Sequence, residues 1–327
     1  MKMNSNFDHI ESVYWVFTQL CNDQCDHCYN LSGPQGERIS AEECMQIIDN
    51  LPKSMGRLIL SGGEPMADRY LLHAILDRLR EVYQGSIQIM LQTNGDLMTE
   101  DRLDTLIEKG VTRFDIASID RYHKKAGSRL MELADLFASR GVNGDDKDPL
   151  LDKDNYLQKH ALSWGYWGAT EDMWLGGNWA RGRALEKDNW KRDPHHNFCT
   201  ILSGARNFLG GYDDIPQEIS IQLWRINPCC PGTLYPMGDA RKENVSDVVK
   251  LASQSIVFKK LNDGEPWDMG EHLGISRKEA IEKTEEAENI CLYCDHFFEH
   301  HMQELNSDTF RGLPVVGETN NKIQMDK

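Results

Sequence analysis

The chain is predicted to be an α/β protein with a parallel sheet built from βα units, and three observations predict it. Short apolar runs alternate with amphipathic stretches of helical period from residue 12 to about 120. A length of 327 residues with 40% hydrophobic content allows one large core plus a smaller appendage. Beyond about residue 190 that rhythm stops, and proline and cysteine become denser. The repetition fits either an open doubly wound sheet or a barrel.

The elements follow in order. "SVYWVFTQ" (12–19) reads as a buried strand, and "SAEECMQIIDNLP" as a helix opened by a capping box of Ser40 and Glu43. "RLILSGG" (57–63), "SIQIMLQTNG" (86–95) and "RFDIASID" (113–120) read as further strands. "DRYLLHAILDRLREVY" (68–83) and "TEDRLDTLIEKG" (99–110) are the helices between them. A fourth helix, "SRLMELADLFASRG", leads into "NGDDKDPLLDKDN" (143–155), a solvated loop whose aspartates lack the ligand spacing of a calcium loop. "HALSWGYWGA" (160–169) is the next strand; its Trp164, Tyr166 and Trp167 suit a core or a pocket wall. "NWARGRALEKDNW" then reads as a turn or short helix.

Composition excludes several classes. The N-terminal segment has no basic stretch followed by a long apolar one, and no window holds 18 apolar residues. A cytoplasmic, soluble protein is expected, and no membrane association. A formal net charge of -16, with no basic run beyond pairs such as Lys124–Lys125, argues against nucleic acid as a partner. In a reducing compartment nine cysteines are expected to be metal ligands, reactive thiols or buried residues rather than disulfides.

The thiols are not spread evenly. "CNDQCDHCYN" (21–30) puts Cys21, Cys25 and Cys28 into eight residues directly behind the first strand, where parallel folds carry their functional loops. Three thiolates on a C-x3-C-x2-C loop can wrap a cubic iron-sulfur cluster and leave its fourth iron without a protein ligand. A zinc site using His27 and a CxxC redox pair are the rival readings.

These residues, followed by the aromatic Tyr29, resemble the signature of the radical SAM superfamily. "SGGEP" (61–65), "QTNG" (92–95) and "SID" (118–120) fall in order at the ends of successive strands and extend the resemblance over about residues 10–190. It implies a partial (β/α)6 TIM-like barrel, a [4Fe-4S] cluster on Cys21, Cys25 and Cys28, and S-adenosyl-L-methionine on the open iron. Gly62 and Gly63 would let backbone approach the ligand, Glu64 would accept its ammonium group, and Asn94, Ser118 and Asp120 would meet ribose, adenine or carboxylate. Tyr29 belongs to the same site. Arg183 in "ARGRA", with Arg181, would lie near the carboxylate or substrate; a surface arginine pair is the alternative.

The remaining cysteines suggest a second unit, dividing the chain into residues 1–190 and 191–327. Cys199, "INPCCPGTLYPMGD" (226–239) and "CLYC" (291–294) are similar to a SPASM-type extension or its shorter twitch form. That likeness implies a small β-hairpin and helix domain holding an auxiliary [4Fe-4S] cluster on Cys199, Cys229, Cys291 and Cys294. Trp224 departs from the glycine related chains carry, and the choice of Cys229 over Cys230 rests on its place after Pro228. Cys230 is then a spare thiol, a candidate hydrogen-atom donor or a packed side chain. Zinc on Cys291, Cys294, His300 and His301 is the rival metal reading. Cys44 is expected to be a buried small side chain.

The resemblance implies an enzyme that reductively cleaves S-adenosylmethionine and abstracts hydrogen from a substrate, with flavodoxin or ferredoxin as electron donor. A small polar metabolite of sugar, aminocyclitol or nucleoside type is expected, undergoing oxidation, epimerisation or related natural-product tailoring. Peptide maturation ranks lower, because the first strand starts too early for a preceding leader-binding domain. From another class comes a non-catalytic iron-sulfur or zinc scaffold or electron carrier.

Overall fold

A computed structural model describes residues 7–117, 128–144, 162–166, 179–201 and 203–308. The fold alternates as expected: β1 (His9–Val16), α1 (Ala41–Asn50), β2 (Ser54–Ser61), α2 (Arg69–Tyr83), β3 (Gln88–Thr93), α3 (Glu100–Glu108), β4 (Val111–Ile116) and α4 (Ser128–Ser139). Two further strands follow, β5 (Asn143–Gly144) and β6 (Ser163–Tyr166), then the short helix α5 (Gly182–Glu186). The capping box at α1 is present, with the Ser40 side chain accepting from the Glu43 amide and the Glu43 carboxylate accepting from the Ser40 amide.

The sheet has nine strands in the order β5-β6-β4-β3-β2-β1-β7-β8-β9, where β7 is Glu218–Gln222, β8 is Arg225–Asn227 and β9 is Gly238–Asp239. Every pairing from β5 to β7 is parallel, and β8 and β9 add antiparallel strands at one end. The sheet is therefore parallel-dominated and open, a partial barrel. Beyond residue 190, β7 pairs with β1 in register Ser12↔Glu218 to Val16↔Gln222, so one sheet runs through both segments of the chain.

Side chains alternate along each strand and sort into two layers. On one layer Trp15 and Phe17 of the first strand segment are fully buried, and Phe137 of α4 packs between Phe114 and Trp164 at centroid distances of 5.4 and 5.1 Å. Trp164 is thus core. Cys44 on α1 is fully buried, as expected of a small apolar side chain. On the opposite layer Tyr14, Ser61 and Gln92 meet: the Tyr14 hydroxyl donates to Gln92 Oε1 at 2.6 Å and lies 2.8 Å from Ser61 Oγ. Helices α6 (Val245–Ala252), α7 (Ile256–Asn262), α8 (Arg277–Glu286) and α9 (Ile290–Asp308) complete the chain. Phe208, Phe258, Phe297 and Phe298 form their apolar centre. Among the described residues no helix is long and apolar enough to cross a membrane.

Candidate active site

The first cysteine loop leaves the carboxyl end of β1 and is closed at its base by backbone bonds. Cys21 N donates to Gly33 O at 2.9 Å, Gly33 N to Gln19 O at 3.0 Å, and Gln19 N to Glu37 O at 2.8 Å. Gly36 is needed here, because a Cβ would collide with the Gln19 carbonyl. Two amides point at sulfur: Asp23 N lies 3.4 Å from Cys21 Sγ and Ser32 N 3.3 Å from Cys28 Sγ. Amides so placed favour a thiolate. Burial opposes them, pushing the Cys21 and Cys25 thiols up to about 12, with nearby acidic groups adding to the rise. Thiolates in such a place require a positive partner, which bound iron would supply. Among the described residues no group of three His, Cys, Asp or Glu converges as a single metal ion demands. A lone zinc would need its sulfurs about 3.8 Å apart. Three sulfur donors on one loop are the soft set that an iron-sulfur cluster takes. His300 Nδ1 lies 2.6 Å from the His296 carbonyl of its own helix.

The "SGGEP" turn at the end of β2 is fastened to the base of that loop. Gly63 N donates to Thr18 O and Glu64 N to Leu20 O, both at 2.8 Å. A Cβ on Gly62 would come within 2.7 Å of Thr18 O, and one on Gly63 within 2.5 Å of Leu20 O. The close approach these glycines allow is to the Thr18–Leu20 backbone. Glu64, expected to face an ammonium group, is fully buried. Its carboxylate accepts from Met66 N at 3.0 Å, Thr93 Oγ1 at 2.8 and 2.9 Å, and Asn94 N at 2.7 Å. It therefore ties the tip of β2 to the tip of β3, and burial pushes its pKa up to about 7. Asn94 reaches back to the cysteine loop, its Nδ2 donating to Asn22 Oδ1 at 2.9 Å. Ser118, Asp120 and Trp167, and the loop after Gly144, lie outside the described residues.

The "ARGRA" turn sits against the other side of the loop. Arg183 is buried and donates to Cys25 O at 2.8 Å and Ser32 O at 2.6 Å, with Leu31 O at 3.4 Å. Gly182, at φ 51°, presses against the Tyr29 carbonyl where a Cβ has no room. Ala184 N donates to Cys28 O at 3.2 Å. Arg183 thus spends its donors on the loop's own carbonyls.

The second cysteine set comes together from three segments. Cys199, Cys229, Cys291 and Cys294 act on one another electrostatically, and burial pushes each thiol up, Cys291 to about 11 and Cys229 to about 12. Cys230 faces the other way. Its sulfur lies 3.3 Å from the Tyr29 hydroxyl, which is 3.4 Å from that of Tyr14, and its carbonyl accepts from Gln222 Nε2 at 2.6 Å. The Tyr29 ring also meets Trp179 edge-on at 4.9 Å. Tyr14 was not singled out in the sequence, and Gln92 entered only as the first residue of "QTNG". Their signal is period-two placement of polar groups within apolar strands, inward beside Ser61. Thr93 stood in view inside "QTNG", next to Asn94.

This arrangement defines a parallel α/β protein carrying a three-thiol loop at its carboxyl rim. Residues 15–131 match the family described as "Radical SAM superfamily". An AdoMet-dependent heme synthase from Methanosarcina barkeri is 34% identical over 113 residues, covering 33% of this chain and 30% of that protein. The chain thus matches under a third of that relative's length. Among solved structures, BtrN in complex with AdoMet and 2-DOIA is 16% identical, covering 82% of this chain and 90% of its own, with TM-score 0.47. SuiB from Streptococcus suis is 13% identical, covering 74% and 66%, with TM-score 0.41.

Proposed function

We propose that the chain is a radical SAM enzyme holding a [4Fe-4S] cluster through Cys21, Cys25 and Cys28 and removing a hydrogen atom from a small polar metabolite. When bound, the cluster and S-adenosylmethionine supply reductive cleavage of the sulfonium and a carbon radical able to accept hydrogen. The carrying observation is the loop itself: three thiols behind β1, amides aimed at two sulfurs, and a base closed by backbone bonds. Arg183 and Gly182 keep its shape, while Glu64 fixes the spacing of the β2 and β3 tips. The heme synthase match supports use of the same nucleotide and carries no substrate with it.

On the inner layer, Tyr14, Ser61, Gln92 and Gln222 offer hydroxyl and amide groups, on the same face as the charged side chains of Arg57, Arg113, Asp115 and Glu218. Such a lining suits a sugar, aminocyclitol or nucleoside. Cys199, Cys229, Cys291 and Cys294 would hold an auxiliary twitch-type [4Fe-4S] cluster, and flavodoxin or ferredoxin would supply electrons. Cys230, turned inward against Tyr29, would give its thiol hydrogen atom to a substrate radical. The thiyl radical left on its sulfur would be returned to the thiol by an electron from the flavodoxin or ferredoxin donor and a proton; this net redox-neutral outcome at the substrate is epimerisation.

Anaerobically reconstituted, dithionite-reduced chain should release 5'-deoxyadenosine from S-adenosylmethionine, and the Cys21→Ala variant should release none. An iron-loaded chain that releases none leaves only the electron-carrier or scaffold reading. With substrate in heavy water, the product should gain deuterium. Cys230→Ala should abolish that gain while nucleotide cleavage continues.

A further inference from the structure

We infer that Arg181 sets the local charge at the second cysteine group and joins that group to the first; this rests on reading the group as an auxiliary cluster site. Its side chain is 13% exposed, and Nη2 donates to Asp295 Oδ1 and to the Cys291 carbonyl, both at 3.0 Å. Nη1 donates to the Ala180 carbonyl at 3.0 Å, which fixes the guanidinium from a third direction. The guanidinium therefore sits against the start of the helix that carries Cys291 and Cys294. Asp295, the residue after Cys294, brings the opposite charge to the same place. Asp295 also accepts from Leu234 N at 3.1 Å, tying the segment behind Cys229 and Cys230 to the helix that carries Cys291 and Cys294.

The neighbours of Arg181 do the complementary work. Gly182, Arg183 and Ala184 hold Tyr29, Cys25, Ser32 and Cys28 of the first loop, so one four-residue turn touches both cysteine groups. A fixed cation beside a buried cluster stabilises the reduced, more negative form and raises its potential; a fixed carboxylate does the reverse. Arg181 and Asp295 therefore form an opposed pair acting on one redox site.

The test uses the full chain with Cys21, Cys25 and Cys28 replaced by alanine, so that only the second group holds iron. It should carry about four irons per chain. In a potentiometric titration followed by electron paramagnetic resonance, Arg181→Gln should shift the midpoint negative and Asp295→Asn should shift it positive. Arg181→Lys keeps the charge but loses the fork, and should shift it less than Arg181→Gln. If Arg181→Gln does not assemble, the sign of the Asp295→Asn shift decides. Bound iron whose potential ignores both substitutions, or moves the same way for both, overturns the role of Arg181 alone. A chain without iron overturns the auxiliary-site reading and this role with it.

Discussion

Replacing Arg183 with alanine should open the first cysteine loop long before it unfolds the chain. The guanidinium makes two short bonds, to Cys25 O at 2.8 Å and Ser32 O at 2.6 Å; the 3.4 Å contact to Leu31 O is too long to count fully. A hydrogen bond to a charged group contributes roughly 1.5–3 kcal/mol net; without the donor the Ser32 carbonyl loses its bond, and Cys25 O keeps the one from Cys28 N at 3.2 Å. The two bonds share one side chain and do not add in full, so the loss is about 3 kcal/mol. That corresponds to a factor of about 150 in the opening equilibrium of the loop. Hydrogen exchange on the iron-free chain reads it directly. The Cys21 and Gly33 amides, bonded across the loop base, should exchange about two orders of magnitude faster, with β3 unchanged. Arg183→Lys should recover part of the protection, since an ammonium can reach one of the two carbonyls. Unchanged protection combined with weakened binding of S-adenosylmethionine would refute the reasoning and assign the side chain to the nucleotide.

Three further substitutions should lower stability. Gly63→Ala would drive a Cβ to 2.5 Å from Leu20 O, backbone that cannot yield without breaking the bond from Glu64 N. The expected loss is about 3 kcal/mol in a thermal melt. At Gly85, with φ 80° and open space around it, alanine should cost about 1 kcal/mol. Arg241 bonds Asp239 at 2.8 and 2.9 Å and Glu43 at 2.7 Å, and stacks 4.3 Å above Trp224. Arg241→Met should cost about 2 kcal/mol at neutral pH, a buried-pair loss discounted for partial exposure. Glu43 is held below its ordinary range by the Ser40 amide and then Arg241; at Asp239 burial raises the pKa, but bonds from Arg241 outweigh it. Carboxylates lowered in this way stabilise the fold above their ordinary values and lose that contribution as pH falls through the lowered ones. Melting temperature should therefore fall steeply below about pH 4 in the native chain and less steeply in Arg241→Met.

Local signals carried the first half of the fold. Apolar runs at β1 to β4 and the Ser40–Glu43 box mark their elements because the determinants lie within a few residues. β7 was not legible: "EISIQ" has only two apolar positions, and its partner lies about two hundred residues earlier. Pairing at that distance leaves no local trace. The cysteine spacing made the site visible, but side-chain direction was hidden. Neighbouring Cys229 and Cys230 are alike in sequence, yet one joins the Cys291 group while the other meets Tyr29. Arg181 and Arg183 share the same ambiguity, resolved only by the glycine that folds the turn between them.

The ladder between Ser12–Val16 and Glu218–Gln222 bears on any attempt to trim the chain to a minimal catalytic fragment. Stopping synthesis near residue 190 would strip the strand that carries the cysteine loop of its outer neighbour. That strand would become a bare edge of unsatisfied amides and carbonyls, a template for stacking with other copies. A shortened protein of that kind should precipitate or form oligomers, so the segment beyond residue 190 guards the solubility of the part before it.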